Sequence, residues 1–348
     1  MLVTGGTGVV GKTLVWQLMK KGYKVRILSR KGFSGMAGKS RGLNAAIGIK
    51  SDGIASQRIQ PEIVQGEITD PEALACAVDG VAVVFHLAAR LGSHSLIQQD
   101  QTKEHVLSDH YRHVNVQGTK RLVEAACRAG VNRVVFFSSI SVYGRGSMAF
   151  AADESIAPCP ESFYAASKVE AEKHVLSARN HKNEPMGVVL RPASVYGPKE
   201  KKNYDLLIKM ARYGFFVTIG RGKARRTLIH DHDLARAAIL AAEHPRAQGN
   251  IYNVTDGAVH SFNDIRRAIA RCFKKQQINI RLPERLVSPL FPVLEKLPKA
   301  HFFASGLKNL VEDTAVSGDK IQRELGFSPQ FDLKNGWQNA RGRALDEV

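Results

Sequence analysis

Tyr164 and Lys168 stand four residues apart in Tyr164-Ala165-Ala166-Ser167-Lys168, a spacing that stacks both side chains on one face of a helix. A phenol titrates at about pH 10 in water, too high for efficient proton transfer at neutral pH. A neighbouring ammonium stabilises the phenolate, so Tyr164 is expected to have a lowered pKa and to exchange a proton with an alcohol or carbonyl oxygen. Upstream, Val134-Val135-Phe136-Phe137 reads as a buried strand ending in Ser138-Ser139. A serine at the carboxyl end of a parallel strand points into the ligand crevice, where the Ser139 hydroxyl is expected to bond the reacting oxygen. Asn115 falls within a predicted helix, where Asn is mildly unfavourable, and this hints at a role in the same site.

A second constellation lies at the amino end. Thr4-Gly5-Gly6-Thr7-Gly8-Val9-Val10-Gly11 follows a strand and opens a helix. Gly5, Gly8 and Gly11 permit unusual backbone angles, let the main chain approach a pyrophosphate and pack helix on strand. The phosphates then rest on free N–H groups at the positive end of the helix. The next strand ends Ile27-Leu28-Ser29-Arg30, without the carboxylate that accepts from a ribose 2′-OH. Arg30 suits a 2′-phosphate through a charge-assisted contact, so NADP is the preferred cofactor. NAD stays open, because a carboxylate from elsewhere would serve.

Both constellations need a parallel sheet to position them. Short apolar runs at Leu2–Thr4, Lys24–Ser29, Glu62–Gln65, Val81–Leu87, Arg133–Ser138 and Gly187–Arg191 alternate with helices beginning near Gly8, Pro71, Val106 and Glu161. Ser162, two residues after Pro160, is placed to cap the last helix. The pattern implies an α/β protein: a Rossmann-type doubly wound sheet over residues 1–190, then a smaller mixed region over 191–348 with segments returning to the sheet. Lys31 to Gln60, rich in Gly, Ser and basic residues, reads as a long connection between the second and third strands.

The chain has 348 residues, 44% hydrophobic and 24% charged, enough to bury a core without disulfides or a structural metal. That composition excludes collagen, coiled coil and bulk disorder. No apolar run reaches the roughly 18–20 residues that span a bilayer, and no signal peptide precedes the Gly-rich turn. Cys76, Cys127, Cys159 and Cys272 are scattered and read as reduced, mostly buried thiols of a cytoplasmic protein. The net charge of +18 favours anionic partners. Nucleic acid is the poorer choice among them, because no reading module or aromatic-interleaved basic stretch is present.

The ordered motifs resemble the extended short-chain dehydrogenases/reductases, which include nucleotide-sugar epimerases, dehydratases and ketoreductases, 3β-hydroxysteroid dehydrogenases and dihydroflavonol reductases. Beside the two constellations, the resemblance rests on Phe85-His86-Leu87-Ala88-Ala89, Asn115-Val116-Gln117-Gly118-Thr119, Ser138-Ser139-Ile140-Ser141-Val142-Tyr143-Gly144, Arg191-Pro192-Ala193-Ser194-Val195-Tyr196-Gly197-Pro198 and Leu325-Gly326-Phe327-Ser328-Pro329. It implies Tyr164 as acid/base, Lys168 as its pKa partner and ribose ligand, Ser139 as the polarising hydroxyl and Asn115 in the catalytic set. It further implies cofactor contacts from Gly5, Gly8, Val9, Val10, Gly11, Leu87, Ala88, Ala89, Arg191 and Pro192, and Glu67-Ile68 near the adenine. Glu67 departs from the family's common Asp. A homodimer is also an expectation of the resemblance.

Arg225-Arg226-Thr227-Leu228-Ile229-His230-Asp231-His232-Asp233-Leu234-Ala235 resembles a family segment whose arginine, here Arg226, reaches a substrate diphosphate. Between Lys199 and Arg236 there are ten basic and four acidic residues, and a guanidinium fork suits phosphate oxygens. With Ser139 and Ser141, Arg226 makes up the expected substrate contacts. His230 and His232 are expected to meet a helix start rather than a metal. The reading is hydride transfer at a carbonyl or hydroxyl carbon of a nucleotide-activated or diphospho-lipid sugar. The alternatives are an epimerase with retained NAD, a hydroxysteroid- or flavonoid-type reductase, and a non-catalytic dinucleotide sensor. The proline-broken apolar stretch Leu282–Phe303, flanked by basic residues, allows weak contact with an anionic membrane surface.

Overall fold

The computed structural model describes residues 1–30, 60–91, 108–144, 151–197, 204–273, 276–287, 289 and 313–337. The expected connection Lys31–Gln60 up to residue 59, the predicted helix start at Val106 and most of the stretch after Val287 lie outside them. In chain order the first elements are β1 (Leu2–Thr4), α1 (Val9–Lys20), β2 (Arg26–Ser29), β3 (Glu62–Gln65), α2 (Pro71–Val78) and β4 (Val83–His86). A π-helical turn over Arg112–Gln117 runs into α3 (Gly118–Arg128), followed by β5 (Arg133–Phe137), a 3₁₀ turn over Ile140–Tyr143, α4 (Phe163–Ser177) and β6 (Gly187–Pro192).

Next come β7 (Ser194–Tyr196), α5 (Asp205–Tyr213), β8 (Phe215–Ile219), β9 (Arg225–His230), α6 (Asp231–Glu243), β10 (Ile251–Val254), β11 (Val259–Ser261), α7 (Phe262–Arg271), β12 (Ile278–Leu282) and, after a four-residue helix at Glu284–Val287, α8 (Asp319–Leu325).

Seven parallel strands form the main sheet in the order β10-β6-β5-β4-β1-β2-β3, so the chain winds outward in both directions from β1. Its central strands are apolar on both faces because helices cover both faces. Leu2, Val84, Val134 and Val189 point to the core under α2, α3 and α4. Their neighbours Val3, Phe85, Val135 and Val188 point to the core under α1 and α6. The two-residue period thus builds two cores from one sheet.

Local signals set the helix starts. Asp70 caps α2 through the Glu72 and Ala73 amides, with Pro71 at the first helical position. Ser162 caps α4 by accepting from the Ala165 amide at 3.1 Å, as its place after Pro160 predicts.

Beyond Pro192 the chain makes two smaller sheets, β11-β9-β7 and β12-β8, over a third core that includes Tyr196, Phe216, Leu228, Phe262 and Trp337. β10 returns to pair with β6 in the main sheet, and α6 packs on α1. His230 closes β9 and caps α6, accepting from the His232 amide at 3.2 Å, while its ring stacks on Phe331 at 3.9 Å. The expected helix cap is found there. Among the described residues no three His, Cys, Asp or Glu side chains converge as a metal site.

The thiols differ from expectation. Cys76 and Cys159 are exposed, Cys127 and Cys272 half-buried, and all four are free. Cys76 lies on the outward side of the short helix α2, which sends Ala73, Leu74, Ala77 and Val78 inward. Among the described residues no helix is long and apolar enough to cross a membrane.

Candidate active site

The strand order leaves the carboxyl ends of β1, β4 and β5 side by side, and the site is assembled there. After β1, Gly5 adopts φ +71°, and a Cβ on it would stand 2.8 Å from the Ala88 nitrogen. A Cβ on Gly11 would meet the Gly5 carbonyl oxygen at 2.2 Å. The turn is therefore closed to side chains at both places. Gly8 begins α1 without a side-chain cap, and the first turn carries no acidic residue. Val9 and Val10 open the helix half-exposed. Amides at a helix start with neither cap nor carboxylate fit an anion such as a pyrophosphate.

Arg30 is exposed at the end of β2 and Ser29 is buried beside it. Ile68 is buried and Glu67 exposed after β3, and Leu87, Ala88 and Ala89 follow β4, half-buried. These residues line the same edge as the Gly-rich turn and fit a dinucleotide laid across the strand ends.

Ser139, Tyr164 and Lys168 come together as expected. Ser139 follows β5 in extended backbone, accepts from the Ser141 amide at 3.1 Å, and bonds the Tyr164 hydroxyl. Tyr164 and Lys168 share one face of α4. The Lys168 ammonium is 2% exposed, donates to the Phe137 carbonyl at 2.7 Å, and lies 5.8 Å from the Tyr164 ring centre.

The electrostatics correct one expectation. Burial pushes the Tyr164 phenol up to about 12, although its bond to Ser139 works the other way. Burial likewise pulls Lys168 down to about 7, opposed by the Glu172 carboxylate. Desolvation of each charged form outweighs the attraction between them. Tyr164 therefore holds its proton at neutral pH, the form that donates.

Asn115 is 1% exposed, within the π-helical turn. Its carboxamide accepts from the Arg90 amide at 2.7 Å, donates to the Arg90 carbonyl at 3.2 Å and donates to Ser167 Oγ at 2.9 Å. It thus ties the segment after Ala89 to the helix carrying Tyr164 and Lys168.

Arg191, expected at the cofactor, reaches across to α4. Its guanidinium is 2% exposed and forks onto the Glu172 carboxylate, Nε at 2.9 Å and Nη2 at 2.6 Å. Pro192 ends β6 half-buried. Arg226 is 9% exposed on β9, so it is no part of a solvated basic face. Its neighbour Arg225 pairs with Asp313.

Two features escape a reading of the sequence. One is Glu172, which also accepts from Ser138 Oγ; its spacing four residues after Lys168 was the available signal. The other is a buried polar file. Thr119 Oγ1 donates to the Asn115 carbonyl, so it accepts from His86 Nε2 at 2.9 Å, leaving Nδ1 to accept from Thr4 Oγ1 at 2.7 Å. Thr4 Oγ1 accepts in turn from the Ala88 amide at 3.2 Å. Burial first, then the Lys168 charge, drive the His86 pKa down to about 3, which keeps the ring neutral. A His closing the apolar run Val83-Val84-Phe85 was the signal.

A parallel, doubly wound sheet with a glycine cradle at β1 and a Ser/Tyr/Lys set at β5 and α4 is the arrangement of the extended short-chain dehydrogenase/reductase family. The chain belongs to the NAD dependent epimerase/dehydratase family, whose model matches residues 1–255. It is an enzyme of that family, whose members similar to this chain bear the names of dehydrogenases, epimerases and reductases. It is 31% identical to a 3-beta-hydroxysteroid dehydrogenase of Mycolicibacterium neoaurum, over 95% of this chain and 87% of that one. It is 29% identical to a UDP-glucose 4-epimerase of Vibrio cholerae, over 81% and 78%. Among solved structures, MoeE5 in complex with UDP-glucuronic acid and NAD superposes with a TM-score of 0.71 at 23% identity, covering 100% of this chain and 99% of that one.

Proposed function

We propose that this enzyme transfers a hydride, with NADP preferred over NAD, at a carbonyl or hydroxyl carbon of a nucleotide-activated or diphospho-lipid sugar. The observation that carries the reading is the meeting of Ser139, Tyr164 and Lys168 at the strand ends beside the glycine cradle. The cofactor, when bound, supplies the hydride in reduction and accepts it in oxidation. Ser139 donates to the substrate oxygen and holds it beside the phenol. As the carbon gains the hydride, Tyr164 gives its proton to that oxygen, and ketone becomes alcohol. The Lys168 ammonium, oriented by the Phe137 carbonyl, stabilises the phenolate left behind. Oxidation runs the same proton back.

The sugar reading is supported by Arg226, whose guanidinium suits a diphosphate. It is supported also by Ser141, whose buried Oγ has no hydrogen-bond partner among the described residues. NADP is supported by the exposed Arg30 and by the lack of a carboxylate at the end of β2. A second reading, a hydroxysteroid-type dehydrogenase, is favoured by the relatives of that name that align over 95% of this chain.

The test begins with protein purified without added cofactor, whose bound nucleotide is released by denaturation and identified by mass. An empty site that binds NADPH more tightly than NADH, with turnover of 4-keto nucleotide sugars lost in Arg226→Ala, is the expected result. Stoichiometric NAD would indicate an epimerase. Turnover of 3-ketosteroids unaffected by Arg226→Ala would select the second reading.

A further inference from the structure

Tyr164, Lys168 and Glu172 recur every four residues on α4, so their side chains follow one another along one face of the helix. Glu172 is 3% exposed and takes three bonds: from Ser138 Oγ, from Arg191 Nε at 2.9 Å and from Arg191 Nη2 at 2.6 Å. Each of its contacts leads to a part of the site. Ser138 immediately precedes Ser139, and the Phe137 carbonyl before it receives the Lys168 ammonium at 2.7 Å. Arg191 anchors the carboxylate to β6, with its guanidinium 4.8 Å over the Tyr143 ring.

A buried carboxylate needed only for the fold would be satisfied by its arginine fork. Here a second buried cation, Lys168, stands one helical turn away, where a negative charge favours the ammonium against the desolvation that opposes it. The other titratable groups facing this cluster are Tyr164 on α4, His86 on β4, Tyr143 on the 3₁₀ turn, and Tyr111 beside Tyr164. His86 is held neutral, and burial raises the phenols of Tyr111, Tyr143 and Tyr164. Among the described residues the charges set beside Lys168 are therefore those of the Glu172–Arg191 pair. Of the two, Glu172 is the one that bears on the ammonium.

We propose that Glu172 is a positioning residue of this active site: its carboxylate keeps the Lys168 ammonium charged beneath Tyr164, and its bond to Ser138 fixes the strand end that carries Ser139. The consequence for catalysis rests on the proposed function, but the electrostatic relation does not.

The test reads Lys168 directly. Protein labelled with ¹³C-lysine is titrated by NMR, and the Lys168 Cε resonance is assigned by its loss in Lys168→Met. In Glu172→Gln the midpoint should fall by about one pH unit, a tenfold loss of proton affinity. Removing one partner of a buried pair can unfold a protein, so Glu172→Gln/Arg191→Met is measured alongside, since replacing both partners is often tolerated. Its midpoint should fall as well. The alkaline limb of kcat should move down by the same interval in whichever variants turn over, with KM for substrate little changed. A Lys168 midpoint unmoved in the folded variants would overturn the proposal. A shifted midpoint in a protein that reduces no ketone would leave it standing and refute the proposed function instead.

Discussion

Asn115 Nδ2 donates to Ser167 Oγ at 2.9 Å, and both side chains are buried. Because the same carboxamide holds the Arg90 amide and carbonyl, one residue joins the chain after β4 to the helix that carries the acid/base pair. Asn115→Leu keeps the volume and leaves these groups without their partner. It should cost about 1–3 kcal/mol in urea denaturation, and lower kcat through misplacement of Tyr164. A loss below about 0.5 kcal/mol would mean that the contact is incidental.

The glycine cradle makes a sharper prediction. Gly11→Ala places a Cβ within 2.2 Å of the Gly5 carbonyl oxygen, a backbone atom that cannot swing aside. NADH affinity measured by fluorescence should fall by tenfold or more, which is about 1.4 kcal/mol. The melting temperature should fall with it. Unchanged binding would place the dinucleotide elsewhere.

His86 predicts an acid-side loss of stability. Its folded pKa is down near about 3 against 6.5 for the free ring. Below pH 6.5 the unfolded chain binds a proton that the folded chain refuses, so stability falls as pH drops from there toward 3. By pH 5 the effect should reach about 2 kcal/mol. Urea denaturation at pH 7 and pH 5 should show this difference in the native protein and a smaller one in His86→Gln.

Much of this was legible in the sequence, and the failures share a cause. The order of β1 to β6, the cap at Ser162 and the helix start at His230 follow from local patterns, which nearby atoms satisfy. The meeting of Ser139 with Tyr164 follows from strand-end and helix-face geometry. What escaped depends on partners distant in the chain and on burial. The partner of the Arg191 guanidinium is Glu172, which lies on another element. Tyr164 was expected to be acidified by its lysine, yet both are desolvated and the burial of the phenol dominates. A helix glutamate is ordinarily solvated, so the spacing of Glu172 after Lys168 gives its helix face but not its burial.

A buried bond joins the later part of the chain to the helix that follows the cradle. Thr13 Oγ1 on α1 donates to Asp231 Oδ2 at 2.9 Å, with both residues 1% exposed. Thr13→Val preserves shape and removes one donor from that carboxylate. A loss of about 1–3 kcal/mol in urea is expected, with cofactor affinity reduced if, as proposed, the amides at the start of α1 hold the phosphates.

The most direct test of the account is Tyr164→Phe, which removes one oxygen and leaves the ring. Ketone reduction is followed by NAD(P)H absorbance across 4-keto nucleotide sugars and 3-ketosteroids, with cofactor affinity measured on the same protein. kcat should fall by about 10²–10⁴ while cofactor affinity holds. Turnover within a few-fold of the native enzyme would contradict it, because Tyr164 would then not be the group that carries the proton.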